Sequence, residues 1–369
     1  MRGLAYLNCH YQSLDASQPW IVYWILNSLD LLGCIPDPDD SIDPKARVVS
    51  HETLSDTVKF LASCVDRKFG SYAGGPYQLA HLAPTYASVN AICVIGTEEA
   101  YKSVDRKSIY QFLLKMKDES GGFRMHDNGE LDIRATYCAL SVASVLNLFD
   151  DKILHNVPSF LKSCQTYEGG ISAEPGNEAH GGYAFCGLAT GVLTSCSDVL
   201  DIDRLMYWVC SRQKGYEGGF QGRTNKLVDA CYSFWQGALF PLLRELRPFS
   251  IPDSPEYYSP TNGTTPFEET LHDSSWICNQ RALQDYVLLC CQPMGGGLRD
   301  KPPKSADYYH TCYALNGLSL MQNNLPGTPP TLVGKSENLL HPIDPLYGVR
   351  KNKIEKARRF FKNLGKIDG

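Results

Sequence analysis

An all-α fold assembled from repeated helical hairpins is predicted by three regularities in the sequence. Glycine pairs recur at Gly121-Gly122, Gly169-Gly170, Gly218-Gly219 and Gly296-Gly297, with a degenerate relative at Gly70-Ser71. Each is followed by a hydrophobe (Tyr72, Phe123, Ile171, Phe220, Leu298) and then, 14, 14, 14, 12 and 15 residues later, by an aromatic: Tyr86, Tyr137, Phe185, Tyr232 and Tyr313. Those aromatics stand 51, 48, 47 and 81 residues apart. Units of nearly 50 residues with two helices each either stack as an open solenoid or close into a ring.

The elements follow in order. A helical segment around Trp20 to Leu32 supplies a sixth unit ahead of the five aligned ones. Behind each second aromatic runs a segment such as Cys138 to Leu146, small and apolar all round, which predicts a buried helix. Between these lie amphipathic segments, for example Ser108 to Met116 and Asp201 to Arg212, predicted to pack outside. The glycines suit turns that need positive φ or close backbone approach. The long last interval holds a Pro-, Ser- and Asn-rich stretch at 247–266, read as a surface insertion, and a final helix is expected around 350–365. The whole of 1–369 then reads as one ring and not two domains.

Composition narrows the function classes. The chain has 369 residues, 43% hydrophobic and 11% aromatic, so disorder is excluded as a whole-chain description. A net charge of −5 argues against a nucleic-acid surface, and no apolar run reaches membrane-spanning length. The N-terminus lacks a secretory pattern, so the 14 cysteines are expected as thiols, the Asn262 sequon carries no weight, and a cytoplasmic location follows. Asp37-Pro38-Asp39-Asp40 matches the Asp-x-Asp-Asp signature of class II terpene cyclases but lies in a Pro-rich acidic loop outside the repeats, and reads as a turn.

Three positions before the second aromatic, the units carry Ala83, Arg134, Gly182, Asp229 and His310; one position before it, Thr85, Thr136, Ala184, Cys231 and Cys312. Packing alone would make these columns apolar. Asp229, Cys231 and His310 form an O, S, N set that zinc accepts with a fourth position open. The alternative is an N-cap, a small core hydrophobe and a hydrogen-bonded surface histidine. His180, Arg223, Lys226, Tyr232 and Arg134 collect donors suited to a diphosphate if the ring closes; singly, each reads as a solvated loop group. Trp20, Trp24, Tyr137, Tyr183, Trp235, Tyr309 and Tyr313 fall at or beside the same helix starts, as packing or as the wall of an apolar cavity.

Longer motifs carry a resemblance. Tyr167-Glu168-Gly169-Gly170, Tyr216-Glu217-Gly218-Gly219-Phe220, Glu178-Ala179-His180-Gly181-Gly182-Tyr183, Asn225-Lys226-Leu227-Val228-Asp229-Ala230-Cys231-Tyr232 and Asp307-Tyr308-Tyr309-His310-Thr311-Cys312-Tyr313 resemble the β subunits of protein prenyltransferases, most of all the farnesyl-transferring branch. The resemblance covers nearly the whole chain and implies an α-α toroid, which supplies the closure. It implies zinc on Asp229, Cys231 and His310, and diphosphate on His180, Arg223, Lys226 and Tyr232. The farnesyl chain would lie along Arg134, Tyr137, Gly182, Tyr183, Cys186, Trp235 and Tyr313. The last residue of a substrate ending in Cys-aliphatic-aliphatic-X (CaaX) would meet Ala16, Ser17, Trp20, His81, Ala83 and Pro84, with Trp24 and Tyr309 along the middle of the tetrapeptide.

Within the family, Trp20 with Tyr313, and Asp300 as a magnesium-linked acid, point to farnesyl transfer; a geranylgeranyltransferase type I β subunit is the near alternative, and a non-catalytic helical scaffold the distant one. The implied reaction is alkylation of a CaaX cysteine by farnesyl diphosphate, with zinc activating the thiol and magnesium (Mg2+) accompanying the diphosphate. The implied partners are a prenyltransferase α subunit in a heterodimer and CaaX proteins such as small GTPases. Two departures stand out: the 247–266 insertion, and Gly70-Ser71 where a glycine pair is usual.

Overall fold

The computed structural model describes residues 2–36, 48–246, 276–323 and 329–367. The Asp37–Asp40 acidic turn, the Asn262 sequon and the 247–266 insertion lie outside the described residues.

Helices alternate between an inner and an outer layer. Helix α1 (Gln18–Leu31) is inner and α2 (His51–Ser63) outer; α3 (Leu82–Ile95) is inner and α4 (Arg106–Met116) outer. The pattern continues with α5 (Ile133–Val145), α6 (Val157–Cys164), α7 (Gly181–Leu193) and α8 (Ile202–Cys210). The burial pattern follows the sequence. Helix α3 buries every residue except Ala83, whereas α4 buries only the stripe Ile109, Tyr110, Phe112, Leu113 and Met116.

The fifth inner helix departs from the expected continuous element. It is a single turn, α9 (Tyr232–Trp235), then a break over Gln236–Ala238, then α10 (Leu239–Leu246). Outer α11 (Gln280–Asp285) runs on into a π-helical turn at Tyr286–Cys290 before inner α12 (Tyr308–Gln322). Each inner helix packs on the next, and α12 packs back on α1. The Asn27 amide donates to Asn316 Oδ1 at 2.8 Å across that last junction. The ring is closed.

The glycine pairs join the units. Gly121 and Gly169 adopt φ of +103° and +99°, and a Cβ on either would overlap a backbone carbonyl of the next outer layer, at Asn156 and Arg204. Only glycine meets both demands. At the other edge of each loop, the backbone N–H opening one inner helix donates to the following unit: Gln18 to Gly74 (2.8 Å), Leu82 to Met125 (2.8 Å), Ile133 to Ala173 (3.0 Å), Gly181 to Gly222 (2.7 Å) and Ala230 to Asp300 (2.9 Å). These five bonds place the inner-helix starts along one rim.

Among the described residues two short antiparallel ladders form, β1 (Phe123–Arg124) with β2 (Leu131–Asp132), and β3 (Ile343–Asp344) with β4 (Val349–Arg350), besides isolated bridges such as Gln165 with Ile171 across the glycine loops. The second is a hairpin whose tip, Leu346-Tyr347-Gly348, enters the ring from the base, with Tyr347 fully buried. It leads into α13 (Lys351–Asn363), which packs on α3 and α5. Arg350 meets Asp30 at 3.2 Å and Lys353 donates to the Val94 carbonyl at 2.8 Å. Both cations thus sit at the C-terminal ends of inner helices. Burial raises the Asp30 carboxyl pKa, and Lys353 and Arg350 pull it back.

Candidate active site at the mouth of the ring

The rim is built by side chains that cap the inner helices. His81 Nδ1 accepts from Ala83 N–H (3.1 Å), Asp132 from Arg134 (2.8 Å), His180 Nδ1 from Gly182 (3.1 Å), Asp229 from Cys231 (2.8 Å) and Asp307 from His310 (2.7 Å). Because Nδ1 accepts, His81 and His180 carry their proton on Nε2. Burial lowers both imidazoles to about pH 4, aided by His126 beside His81 and Arg223 beside His180. They are neutral donors at neutral pH, not cations.

A pH dependence of stability follows. The unfolded chain takes protons near pH 6.5, whereas the folded caps resist until about 4. Between those values the unfolded state binds more protons, so this stability is present above 6.5 and is lost as pH falls. We expect a lower melting midpoint at pH 5 than at pH 7, and a smaller drop in His81→Asn, which keeps a capping acceptor but cannot titrate. An undiminished drop in that variant would assign the effect elsewhere.

Asp229, Cys231 and His310 converge. One donor atom from each lies within 4.8 Å of the others. Cys231 is 4% exposed, and His310 Nε2 stands 3.3 Å from Asp229 Oδ1. A tetrahedral zinc with bonds of about 2.0–2.3 Å separates its ligands by roughly 3.3–3.8 Å, so this O, S, N set fits after a small contraction. The capping and ligating readings of Asp229 are compatible: it accepts from the Cys231 N–H through Oδ1 while its carboxylate faces His310. Burial, then Asp229, raises the Cys231 thiol far above its usual range. Burial works against charge on His310, but its bonds to Asp229 and Asp307 outweigh that and lift it to about 9. Burial opposes charge on Asp229, yet His310 and the Cys231 N–H hold its carboxylate below the usual range, and a cation that binds at the cluster displaces the protons of its thiol and imidazole.

Asp307 orients the imidazole. Its Oδ2 lies 2.6 Å from His310 Nδ1, leaving Nε2 for the cluster. Losing such a partner typically costs 10–100-fold in metal affinity. Asp307→Asn is therefore expected to weaken the affinity of the cluster for added zinc about 10–100-fold, measured by chelator competition. Unchanged competition would mean that the ring orientation is held by packing.

Beside the cluster, Tyr232 Oη is 2.8 Å from His180 Nε2, and a Cβ on Gly222 would collide with the Tyr232 ring. Arg223 pairs with Glu178 at 2.7 Å and Lys226 is exposed on the rim. Arg134 is held by Asp132 (2.9 Å) and lies 5.8 Å over the Tyr183 ring. Asp300 pairs with Lys301 and contributes to raising Tyr232, behind burial and Cys231. A lone carboxylate of this kind suits magnesium only when substrate phosphates complete the shell.

Below the rim, eight aromatic side chains form a closed belt, with at least one from every inner helix. Successive ring centroids run Trp20–Tyr86 (5.6 Å), Tyr86–Tyr137 (5.4 Å), Tyr137–Phe185 (5.2 Å), Phe185–Trp235 (5.3 Å), Trp235–Tyr313 (4.4 Å), Tyr313–Tyr309 (4.9 Å), Tyr309–Trp24 (5.5 Å) and Trp24–Trp20 (5.7 Å). Trp20, Trp235 and Tyr309 are half-buried. Gly182 has only its own cap, His180, near the place of a Cβ, and Cys186 is buried beneath. Against Trp20 a cavity of about 520 Å³ is lined by Ala16, Ser17, His81, Ala83, Pro84 and His126.

A rim of donors above an O, S, N cluster and an aromatic belt, on a closed α-α ring, is the setting for comparison with known proteins. The family model described as the prenyltransferase alpha-alpha toroid domain matches residues 1–349. The chain belongs to the protein prenyltransferase β-subunit family.

Protein farnesyltransferase subunit beta of Pisum sativum is 44% identical, over 94% of this chain and 90% of its own. The Arabidopsis thaliana protein of the same name is 42% identical, over 98% and 80%. Geranylgeranyl transferase type-1 subunit beta of Arabidopsis thaliana is 26% identical, over 85% and 80%. Candida albicans protein geranylgeranyltransferase-I complexed with GGPP shares the fold, with a TM-score of 0.73 at 21% identity over 98% of this chain and 96% of that one.

Several residues of this prenyltransferase site escaped the sequence reading: Glu178, Asp132, Asp307, Lys301 and His126. Four of the five are charged partners of residues that were identified. Asp307, three residues before His310, was findable as an N-cap; Glu178 and Asp132 needed the fold.

Proposed function

We propose that this chain is the catalytic β subunit of a protein farnesyltransferase, acting in a heterodimer with an α subunit on farnesyl diphosphate and on the cysteine of CaaX-ending proteins. The observation that carries the reading is the convergence of Asp229, Cys231 and His310 beside Tyr232, His180 and Arg223. The higher identity to farnesyltransferase than to geranylgeranyltransferase subunits favours the 15-carbon donor.

The bond formed joins the substrate sulfur to carbon 1 of the isoprenoid, and the bond broken joins carbon 1 to the diphosphate oxygen. Asp229, Cys231 and His310 would hold zinc, which would supply Lewis acidity toward a substrate thiol whose pKa is otherwise about 8.5; the thiol proton leaves to solvent. Arg223 and Lys226 bind the diphosphate by charge. Neutral His180 donates its one N–H, on Nε2, to Tyr232 Oη, which leaves the Tyr232 hydroxyl to donate to the diphosphate, and together these groups meet the negative charge that grows on the leaving group. Asp300 would take part with magnesium on the diphosphate. Arg134 and Tyr183 flank the chain where it enters the belt, and the aromatic walls exclude water from an allylic centre.

The test is co-purification with an α subunit, followed by transfer to a peptide ending Cys-Val-Leu-Ser from either donor, with and without chelator. Chelator-sensitive transfer of farnesyl in preference to geranylgeranyl supports the reading. A stable heterodimer that transfers neither overturns it, and preference for geranylgeranyl returns the type I assignment.

A further inference from the structure

We propose that the C-terminal hairpin tip, Leu346-Tyr347-Gly348, is a specificity-determining floor, which sets how deep an isoprenoid can sit by holding the aromatic belt from below. The inference rests on the donor reading given above and goes beyond it, because belt residues alone do not fix a depth.

The tip offers three backbone carbonyls, and inner helices take all three. Tyr137 Oη donates to Leu346 (2.7 Å). The Asn90 amide donates to Tyr347 (3.2 Å), and Tyr86 Oη approaches the same oxygen at 3.4 Å. Tyr23 Oη and the Asn316 amide both donate to Gly348, at 3.0 and 3.1 Å. The Tyr347 hydroxyl is bonded to Ser144 at 2.7 Å. Four of the inner helices, α1, α3, α5 and α12, therefore converge on three residues.

Two of these partners, Tyr86 and Tyr137, are neighbours in the belt, with hydroxyls 3.2 Å apart. A buried phenol needs an acceptor. The tip supplies it from below, so both tyrosines commit their hydroxyls to the tip and to each other, and their rings are fixed in the belt. Gly348 sets the height. Its φ is +66°, and a Cβ would stand 3.0 Å from Phe234 Cζ, 3.1 Å from Asn316 Nδ2 and 3.2 Å from Tyr23 Oη. Phe234 in turn packs on Trp235 and Tyr313, so the tip supports the belt on that side also.

The experiment uses the heterodimer and compares kcat/KM for farnesyl and geranylgeranyl diphosphate at saturating peptide. Tyr347→Ala empties the axis below the belt, and the farnesyl-to-geranylgeranyl ratio should fall about tenfold while the peptide KM stays within about twofold. Tyr137→Phe keeps the ring and cuts only its tether to Leu346, and should lower the ratio about threefold whether or not Tyr347→Ala folds. Folded variants that keep the wild-type ratio, or that lose both donors equally, overturn the proposal. Wild-type enzyme that transfers neither donor overturns instead the reading on which it rests.

Discussion

Serine in place of Cys231 is expected to abolish zinc retention and turnover together. The thiolate is the soft, charged member of the O, S, N set, and serine stays protonated at neutral pH. Without the metal, a substrate thiol of pKa about 8.5 is only about 3% ionised at pH 7, a loss of roughly 30-fold. Lost positioning of sulfur against carbon 1 costs at least about another 30-fold, so kcat should fall by about 10³ or more. Cys312 is the internal control. It occupies the same column of the repeat, yet it is fully buried and accepts from the Asn27 amide at 3.5 Å. Cys312→Ser should keep stoichiometric zinc. Metal analysis of both purified variants decides the matter: zinc retained by Cys231→Ser would remove that cysteine from the site.

Trp20→Thr should carry the largest change in donor choice. Trp20 touches Trp24, Tyr23 and Tyr86, and it is the one belt residue that also borders the Ala16–Pro84 cavity. Replacing an indole by a hydroxyethyl group opens room for several methylenes, each of which a hydrophobic pocket can count at tenfold or more. The farnesyl-to-geranylgeranyl ratio should fall about 10²-fold, measured by competition of the two diphosphates for one peptide. An unchanged ratio would place the length limit in the floor alone.

How much of this was legible in the sequence depends on whether a feature is local or circular. The repeat was legible because the first glycine of three pairs, Gly121, Gly169 and Gly218, answers a local demand, positive φ plus a backbone carbonyl in the place of a Cβ, that no other residue meets. Closure was not, because it depends on contacts between α1 and α12, nearly 300 residues apart, such as Asn27 with Asn316 and Trp24 with Tyr309. The O, S, N cluster could be found as a column anomaly, since Asp229 and His310 share one offset from the second aromatic. The capping column is harder to see, because it mixes two residue types: His81, Asp132 and His180 stand five positions before the second aromatic, but Asp229 stands three and Asp307 six before it. The tip at Leu346–Gly348 gave no signal at all. Nothing in Asp-Pro-Leu-Tyr-Gly says that its carbonyls will meet four helices.

The single rim on which the inner helices begin has a consequence for how substrate arrives. Five inner helices of 13 to 15 residues (α1, α3, α5, α7 and α12) bring their amino ends, and with them the positive ends of their dipoles, to one lip, while the chain as a whole is at −5. At the far end Arg350 and Lys353 reach the carboxyl ends of α1 and α3, where they meet Asp30 and the Val94 carbonyl. A trianionic diphosphate is then repelled by most of the surface and drawn to one opening, polar head last to enter and isoprenoid tail leading into the belt. The architecture selects the direction of entry before any side chain touches the ligand.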